Sequence, residues 1–215
     1  MAAKKKKPAA KDERNKVGEA KYWDAHYETG KPPWDHGAPS PPVVALARSG
    51  VLPKGRLCVL GCGWGNDAIW FAKEGWQVTA VDFAVGAERG LRAEATKAGV
   101  AVQFIRMDLF ELPKICHASF DLVLEHTCFC AISPKRRKEY VGVVRRILKP
   151  GGTLFGVFFN HGGKGGPPFT VSAQQVRSFF GPYFDLERLG VAKGSFENRA
   201  DKELLALFRL RSPLP

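Results

Sequence analysis

The chain has 215 residues, 45% of them hydrophobic and 25% charged, a balance that suits one ordinary folded domain. No apolar run approaches the roughly 18 residues a membrane span needs, and the charges of Met1-Ala2-Ala3-Lys4-Lys5-Lys6-Lys7-Pro8 have no apolar stretch behind them as a secretory signal would. A formal charge of +12 raises nucleic acid as a partner, but seven Lys/Arg against two acids fall within residues 1–17 alone, so the excess over the remainder is mild. Residues 1–16 therefore read as a solvated, disordered basic tail, and 17–215 as one domain. Spacing of Val17, Ala20, Trp23 and Tyr27 predicts a helix over 17–27, followed by a stretch from Gly30 to Pro42 rich in Pro and Gly. Three aromatics, Trp23, Tyr27 and Trp34, crowd into this segment, which is too broken to join a sheet. It reads either as an aromatic lid (17–42) or as a plug against the side of the domain.

From Val43 the rhythm becomes regular. A helix is predicted at 43–47, a buried strand at 56–60, a helix at 66–74 ended by Gly75 and a strand at 77–81. Next come a helix at 86–98 closed by Gly99, strands at 102–106 and 120–124, a helix at 134–148, a Lys149-Pro150-Gly151-Gly152 turn and a strand at 153–159. Strands alternating with helices imply parallel pairing and a sheet covered on both faces. Ser172-Ala173-Gln174-Gln175 reads as a capping box opening a short helix to Phe180. Two strands, 184–189 and 204–210, follow with only a loop between them, so they should pair antiparallel. The expected fold is a doubly wound α/β domain with a mostly parallel seven-stranded sheet finished by an antiparallel hairpin, a pattern associated with class I methyltransferases.

The strongest local signal is Gly61-Cys62-Gly63-Trp64-Gly65-Asn66, set between a strand and a helix, where glycines let a ligand approach the backbone. Asn66 stands where a dinucleotide fingerprint would carry its third Gly, which argues against a pyrophosphate. Asp82, beside Phe83 and twenty-one residues beyond Gly61, closes the next strand and can accept both hydroxyls of a ribose. Asp108-Leu109 closes the third, where an acid can accept from an adenine amino group. A lone Asp at a strand end is ordinarily a turn former; three signals in register point instead to an adenosyl ligand. The fourth strand delivers Glu125-His126-Thr127-Cys128-Phe129-Cys130 to the same edge, without the Pro-Pro signature of enzymes that methylate amino groups. The odd set of cysteines, Cys58, Cys62, Cys116, Cys128 and Cys130, lacks CxxC spacing, so reduced thiols are expected, with neither a metal site nor a disulfide framework; packing is the expected role of Cys130.

Taken together, Tyr22-Trp23, Trp34-Asp35-His36-Gly37, Leu60-Gly61-Cys62-Gly63, Phe129-Cys130-Ala131-Ile132-Ser133-Pro134, Leu148-Lys149-Pro150-Gly151-Gly152 and Gly165-Gly166-Pro167-Pro168-Phe169 resemble the thiopurine S-methyltransferase superfamily. The likeness is greatest to its halide/thiol methyltransferases and runs from about Tyr22 to Phe169. It implies S-adenosylmethionine as the cofactor and S-adenosylhomocysteine as the product. It places Trp23, Tyr27 and Trp34 over the methionine end, Gly61 and Gly63 beneath it, Asp82 at the ribose, Asp108 and Leu109 at the adenine, and Glu125 with His126 beside the methionyl or substrate region. Two positions depart from the pattern. Phe169 stands where those enzymes carry Tyr, and Glu125-His126 where they usually read Asp-Tyr; His126 is the candidate replacement for the missing hydroxyl.

The expected reaction is in-line transfer of a methyl group to a small soft nucleophile, a thiol, hydrosulfide, thiocyanate or halide, with His126 and Glu125 as catalytic candidates and no metal. Trp34, Phe129 and Phe169 are expected to cap a small apolar acceptor pocket. A cytoplasmic monomer acting on a small molecule is expected, without membrane or nucleic-acid partners. The alternatives are a methyltransferase acting on nucleic acid or protein, suggested by the tail and Lys135-Arg136-Arg137-Lys138, and a protein that binds S-adenosylmethionine without catalysis. That basic run is more simply a solvated helix face.

Overall fold

The computed structural model describes residues 16–212, so all but Lys16 of the expected basic tail lies outside the described residues. The elements in chain order are α1 (Ala20–Tyr27), α2 (Pro41–Arg48), β1 (Arg56–Leu60), α3 (Asn66–Lys73), β2 (Gln77–Asp82), α4 (Val85–Ala98), β3 (Gln103–Arg106) and β4 (Phe120–His126). After these come α5 (Arg137–Ile147), β5 (Leu148–Phe159), α6 (Ala173–Phe180), β6 (Phe184–Val191) and β7 (Glu203–Leu210). One seven-stranded sheet runs β3-β2-β1-β4-β5-β7-β6. β1 to β5 are parallel, and β7 inserts antiparallel between β5 and β6. The doubly wound sheet and its terminal hairpin are those expected from sequence. The order in which strands are added across the sheet reverses between β1 and β4, and such a switch point opens a crevice outside the strand ends.

Alternation along the strands divides the apolar residues between two layers. Leu57, Val59, Leu122, Leu124, Phe155 and Val157 face one core, shared with Val43 and Leu46 of α2, Phe71 of α3 and Leu91 of α4. Cys58, Leu60, Val123, Leu154 and Phe158 face the other, with Tyr140 and Val144 of α5 and Phe180 of α6. Local signals set the helix ends. Pro41 and Pro42 occupy the first turn of α2, where a missing N–H costs nothing. Gly99 closes α4 in the left-handed conformation, and Ser172 with Gln175 forms the capping box on α6.

Most boundaries fall within two residues of expectation, and three segments differ by more. The first helix begins at Ala20 rather than Val17. The helix expected over 134–148 is a 3₁₀ turn, Pro134–Arg136, leading into α5. Lys149-Pro150-Gly151-Gly152 lies within β5, because pairing with β4 jumps from Phe120–Leu148 to Leu122–Thr153 and loops those residues out. A further 3₁₀ helix, Leu109–Lys114, carries no apolar period by which it could have been foreseen.

Candidate active site

The carboxyl ends of the parallel strands open on a cavity of about 270 Å³. β3 brings Met107, Asp108 and Leu109 to its wall, β2 brings Asp82 and Phe83, β1 brings Gly61, and β4 brings Thr127 and Cys128. Beyond them, the segment after β5 adds Pro167 and Pro168. Since β7 is antiparallel, with Glu203 opposite Phe159, the loop entering it reaches the same edge and supplies Arg199. The sheet order therefore ranks the wall residues along one line, from Asp108 at one end to Arg199 at the other.

Gly61 and Gly63 take φ of 59° and 54°, a region in which a side chain is strained. At Gly61 space is as restrictive as backbone, since a Cβ would lie 2.8 Å from Cys128 Sγ, whereas at Gly63 a Cβ would only make ordinary contact with Tyr27 Oη at 3.4 Å. Glycine at Gly61 thus lets the end of β1 pack closely against the turn after β4 at the cavity wall. Beside it, Asp82 Oδ2 accepts from the Gly63 N–H at 3.1 Å and Oδ1 from the Ala84 N–H at 3.0 Å. Burial pushes the Asp82 pKa up to about 6 against those stabilising N–H groups, with a smaller push from Asp24. A carboxylate short of solvation, with lone pairs left on each oxygen, is suited to accept from vicinal hydroxyls. At the end of the row, Asp108 Oδ1 caps the following 3₁₀ helix through the Phe110 N–H at 3.1 Å, and Oδ2 lies 3.5 Å from Arg136. Asp108 is thus both a turn former and a wall residue. The Arg136 guanidinium lies 3.3 Å over the Phe110 ring, and both residues line this end.

Trp23, Tyr27 and Trp34 cover the other side. Trp34 meets Trp23 edge-on at 5.3 Å and Tyr27 at 5.5 Å. The cluster is anchored to α4 through glycine, since Tyr27 packs where Gly86 would otherwise carry a Cβ, only 2.4 Å away. Asp24 Oδ1 accepts from the Gly86 N–H at 2.8 Å. Further along, Asn66 donates to Asp35, and Asp67 accepts from the Ser40 N–H at 2.7 Å, so α3 holds down the chain after Trp34. Trp23, Tyr27 and Trp34 thus line the cavity and do not pack on a remote side of the domain.

Five expected site residues do not stand on the cavity wall. Gly63 lies just beneath it, donating to Asp82. Phe129, expected to cap the acceptor, is corrected to a core residue: it is 0% exposed and surrounded by Tyr140, Phe158, Phe179 and Phe180 at 5.2–5.7 Å. Phe169 is likewise turned inward, packed against Gly166. Glu125, expected at the methionine end and in catalysis, is wholly buried; its carboxylate accepts from the Phe129 N–H at 2.8 Å and from the Tyr140 hydroxyl. It ties down the turn after β4, where Thr127 is held at a φ of 60°, a costly conformation for a β-branched residue. Burial pushes the Glu125 pKa up to about 7. His126 points Nδ1 at Asp67 Oδ2, 2.6 Å away. Burial opposes its charged form, but Asp67 prevails and the pKa is raised. The geometry makes Glu125 and His126 supports of the turn and lid segment.

Sequence reading missed His26, Arg136, Pro167, Pro168 and Arg199 on the wall. Arg199 is the most consequential. It is 8% exposed, stacks 4.0 Å over Phe159, and its Nη1 has no hydrogen-bond partner. A lone Arg in the Glu197-Asn198-Arg199 turn carries no sequence signal, because only the antiparallel return of β7 brings it to this edge.

The family model for thiopurine S-methyltransferase matches residues 18–213. A probable thiol methyltransferase 2 of Arabidopsis thaliana is 33% identical over 163 residues, covering 74% of this chain and 71% of the relative. Thiocyanate methyltransferase 1 of Brassica oleracea is 32% identical over 168 residues, with the same coverage. Among solved structures, a 1,6-didemethyltoxoflavin-N1-methyltransferase of Burkholderia thailandensis bound to S-adenosylhomocysteine superposes with a TM-score of 0.74 at 20% identity, covering 99% of this chain and 94% of that one.

Proposed function

The chain belongs to the thiopurine S-methyltransferase family and is an S-adenosylmethionine-dependent methyltransferase, and from this premise we propose that its acceptor is a small soft nucleophile: a thiol, hydrosulfide, thiocyanate or halide. The relatives named for thiols and thiocyanate support this class. The single observation that carries it is Arg199, a buried guanidinium with an unpartnered nitrogen at the end of the cavity away from the aspartates. A buried cation left unsatisfied is costly, and an anion arriving at that end offsets the cost.

The residues present fit the cofactor. The hollow at Gly61 has no room for a Cβ, and Asp82 offers a half-buried carboxylate beside it. Asp82 would hold the ribose, Phe83, Asp108 and Leu109 the adenine, and Gly61 with the Trp23, Tyr27 and Trp34 cover the methionine end. Bound there, S-adenosylmethionine supplies a methyl group activated by its positively charged sulfur. The chain's own tasks are to align an acceptor, exclude water and favour the acceptor's anionic form. Free thiols near pKa 8.5 are only a few per cent ionised at pH 7, and Arg199 shifts a bound thiol toward its thiolate; halides and thiocyanate arrive charged. Cys128 and Cys130 also line the cavity, but burial pushes the Cys130 thiol up to about 12 and Cys128 well above its usual range. They stay protonated and do not compete as nucleophiles. Five free cysteines and the lack, among the described residues, of any helix able to cross a membrane suit a cytosolic setting.

Methyl-labelled cofactor offered with iodide, thiocyanate, hydrosulfide and aromatic thiols, with volatile products counted in the headspace, tests the reading. Turnover of at least one is expected, with Arg199→Met raising KM for it by about tenfold or more while S-adenosylhomocysteine affinity holds within about twofold. No turnover of any, with the cofactor bound tightly, would exclude the acceptor class.

A further inference from the structure

Arg137 is the most deeply buried arginine described, 3% exposed at the first position of α5. No carboxylate among the described residues pairs with it. Its Nη2 donates to two backbone carbonyls, Phe169 at 3.2 Å and Thr170 at 3.3 Å, its Nε has no partner, and its guanidinium lies 5.0 Å from the Phe129 ring. Burying an unpaired cation on neutral carbonyls stabilises a fold poorly; an apolar side chain of equal volume would do as well or better. The arrangement calls for a reason beyond packing.

That reason lies in what the two carbonyls belong to. Phe159 and Val171 close a loop at its neck, where the Val171 N–H donates to the Phe159 carbonyl at 2.9 Å. Eleven residues lie between, a compact loop of the kind that often carries function. The chain there is glycine-rich, with Gly162, Gly165 and Gly166 at positive φ, and it presents Pro167 and Pro168 to the cavity. Its far side is fastened to the turn after β4 by the Phe169 N–H donating to the Cys130 carbonyl at 2.6 Å, and to α5 by Arg137. Cys130 itself lines the cavity. Arg137 is thus the side-chain tie between α5 and the loop that carries the prolines, and among the described residues it makes no hydrogen bond to the tips of β1, β2 or β3.

We propose that Arg137 is a positioning residue that clamps the 160–170 loop and so sets the width of the acceptor end. The proposal rests on the small-acceptor reading above. A loosened loop leaves a small anion poorly enclosed but admits a bulkier thiol. Arg137→Met, which keeps length without donors, is expected to raise KM for thiocyanate or hydrosulfide about tenfold, with kcat at saturation and S-adenosylhomocysteine affinity each within about twofold. The ratio of kcat/KM for an aromatic thiol over the small anion should rise about fivefold. Arg137→Lys, able to reach one carbonyl, should fall between.

A folded variant with unchanged acceptor KM and unchanged preference would overturn the proposal, as would an equal loss of cofactor affinity. If Arg137→Met fails to fold, Arg137→Lys decides on the same readouts; if neither folds, Arg137 determines the fold and the positioning role is wrong. Wild-type enzyme runs in parallel. Failure of the wild type on every acceptor sinks the small-acceptor reading, whereas an active wild type with indifferent variants sinks only this inference.

Discussion

Asp82 meets two demands that conflict in the free protein. Burial pushes its pKa up to about 6, so the carboxylate is ionised at neutral pH yet poorly solvated, and the hydroxyl donors of the proposed ribose would relieve that. Calorimetry with S-adenosylhomocysteine should show Asp82→Ala weakening binding by about 100-fold, the loss of hydrogen bonds to a charged group, with the thermal transition of the free protein maintained. In wild type the affinity should decline as pH drops below about 6, when the carboxyl takes up a proton; a flat profile would remove Asp82 from the binding step. Phe129 makes the contrary case. As a core residue, Phe129→Ala should cost about 3–5 kcal/mol in urea melts, where a pocket wall would shift acceptor KM and little else. Asp82 was legible as a wall residue because it ends a strand beside a glycine turn, and the structure sets it on the cavity against Gly63. Phe129 was misplaced because the turn after β4 is remade by Glu125: with its carboxylate on the Phe129 N–H, the ring is swung into the core. A motif gives the order of residues but not which side of a tight turn each will face.

Elements with a clean period were readable nearly to the residue, as β1, β2 and the capping box on α6 attest. Segments without one were not: the 3₁₀ helix at Leu109–Lys114 and the residues looped out of β5 are set by tertiary pairing. The aromatic cover is intermediate. Its rings were conspicuous, but its docking surface on α4 is written in Gly86, whose missing side chain makes room for Tyr27. Gly86→Ala would force Cβ to within 2.4 Å of the Tyr27 side chain, so the cover must lift. The expected result is a loss of S-adenosylhomocysteine affinity of about tenfold and a change in tryptophan fluorescence, with far-UV circular dichroism unaltered. Unchanged affinity and fluorescence would mean that α1 tolerates the extra methyl and does not depend on this contact.

Across the whole molecule, charge and topology act together. Native Asp82 and Glu125 hold protons more tightly than the unfolded chain, with pKa values of about 6 and about 7 against 3.8 and 4.5, and His126 is raised above 6.5. Each contributes stability that is fully present below its unfolded pKa and lost as pH rises through its folded one. His36, lowered from 6.5, runs the other way, one group against three. Urea melts of the ligand-free protein should therefore show stability falling from about pH 4 to about pH 7, opposite in sense to the tightening of cofactor binding over the lower part of that range. Stability rising throughout would contradict these assignments.

The proposed arrangement ranges adenine, ribose, methionine and acceptor in that order along one sheet edge, from β3 to the loop before β7. A crystal structure grown with S-adenosylhomocysteine and iodide, the iodide located by its anomalous scattering, tests it most directly. The nucleoside should lie over the β3, β2 and β1 tips with its hydroxyls on Asp82, and iodide should sit among Cys130, Pro167 and Arg199. Iodide bound only elsewhere, or a nucleoside lying away from Asp82, would contradict it.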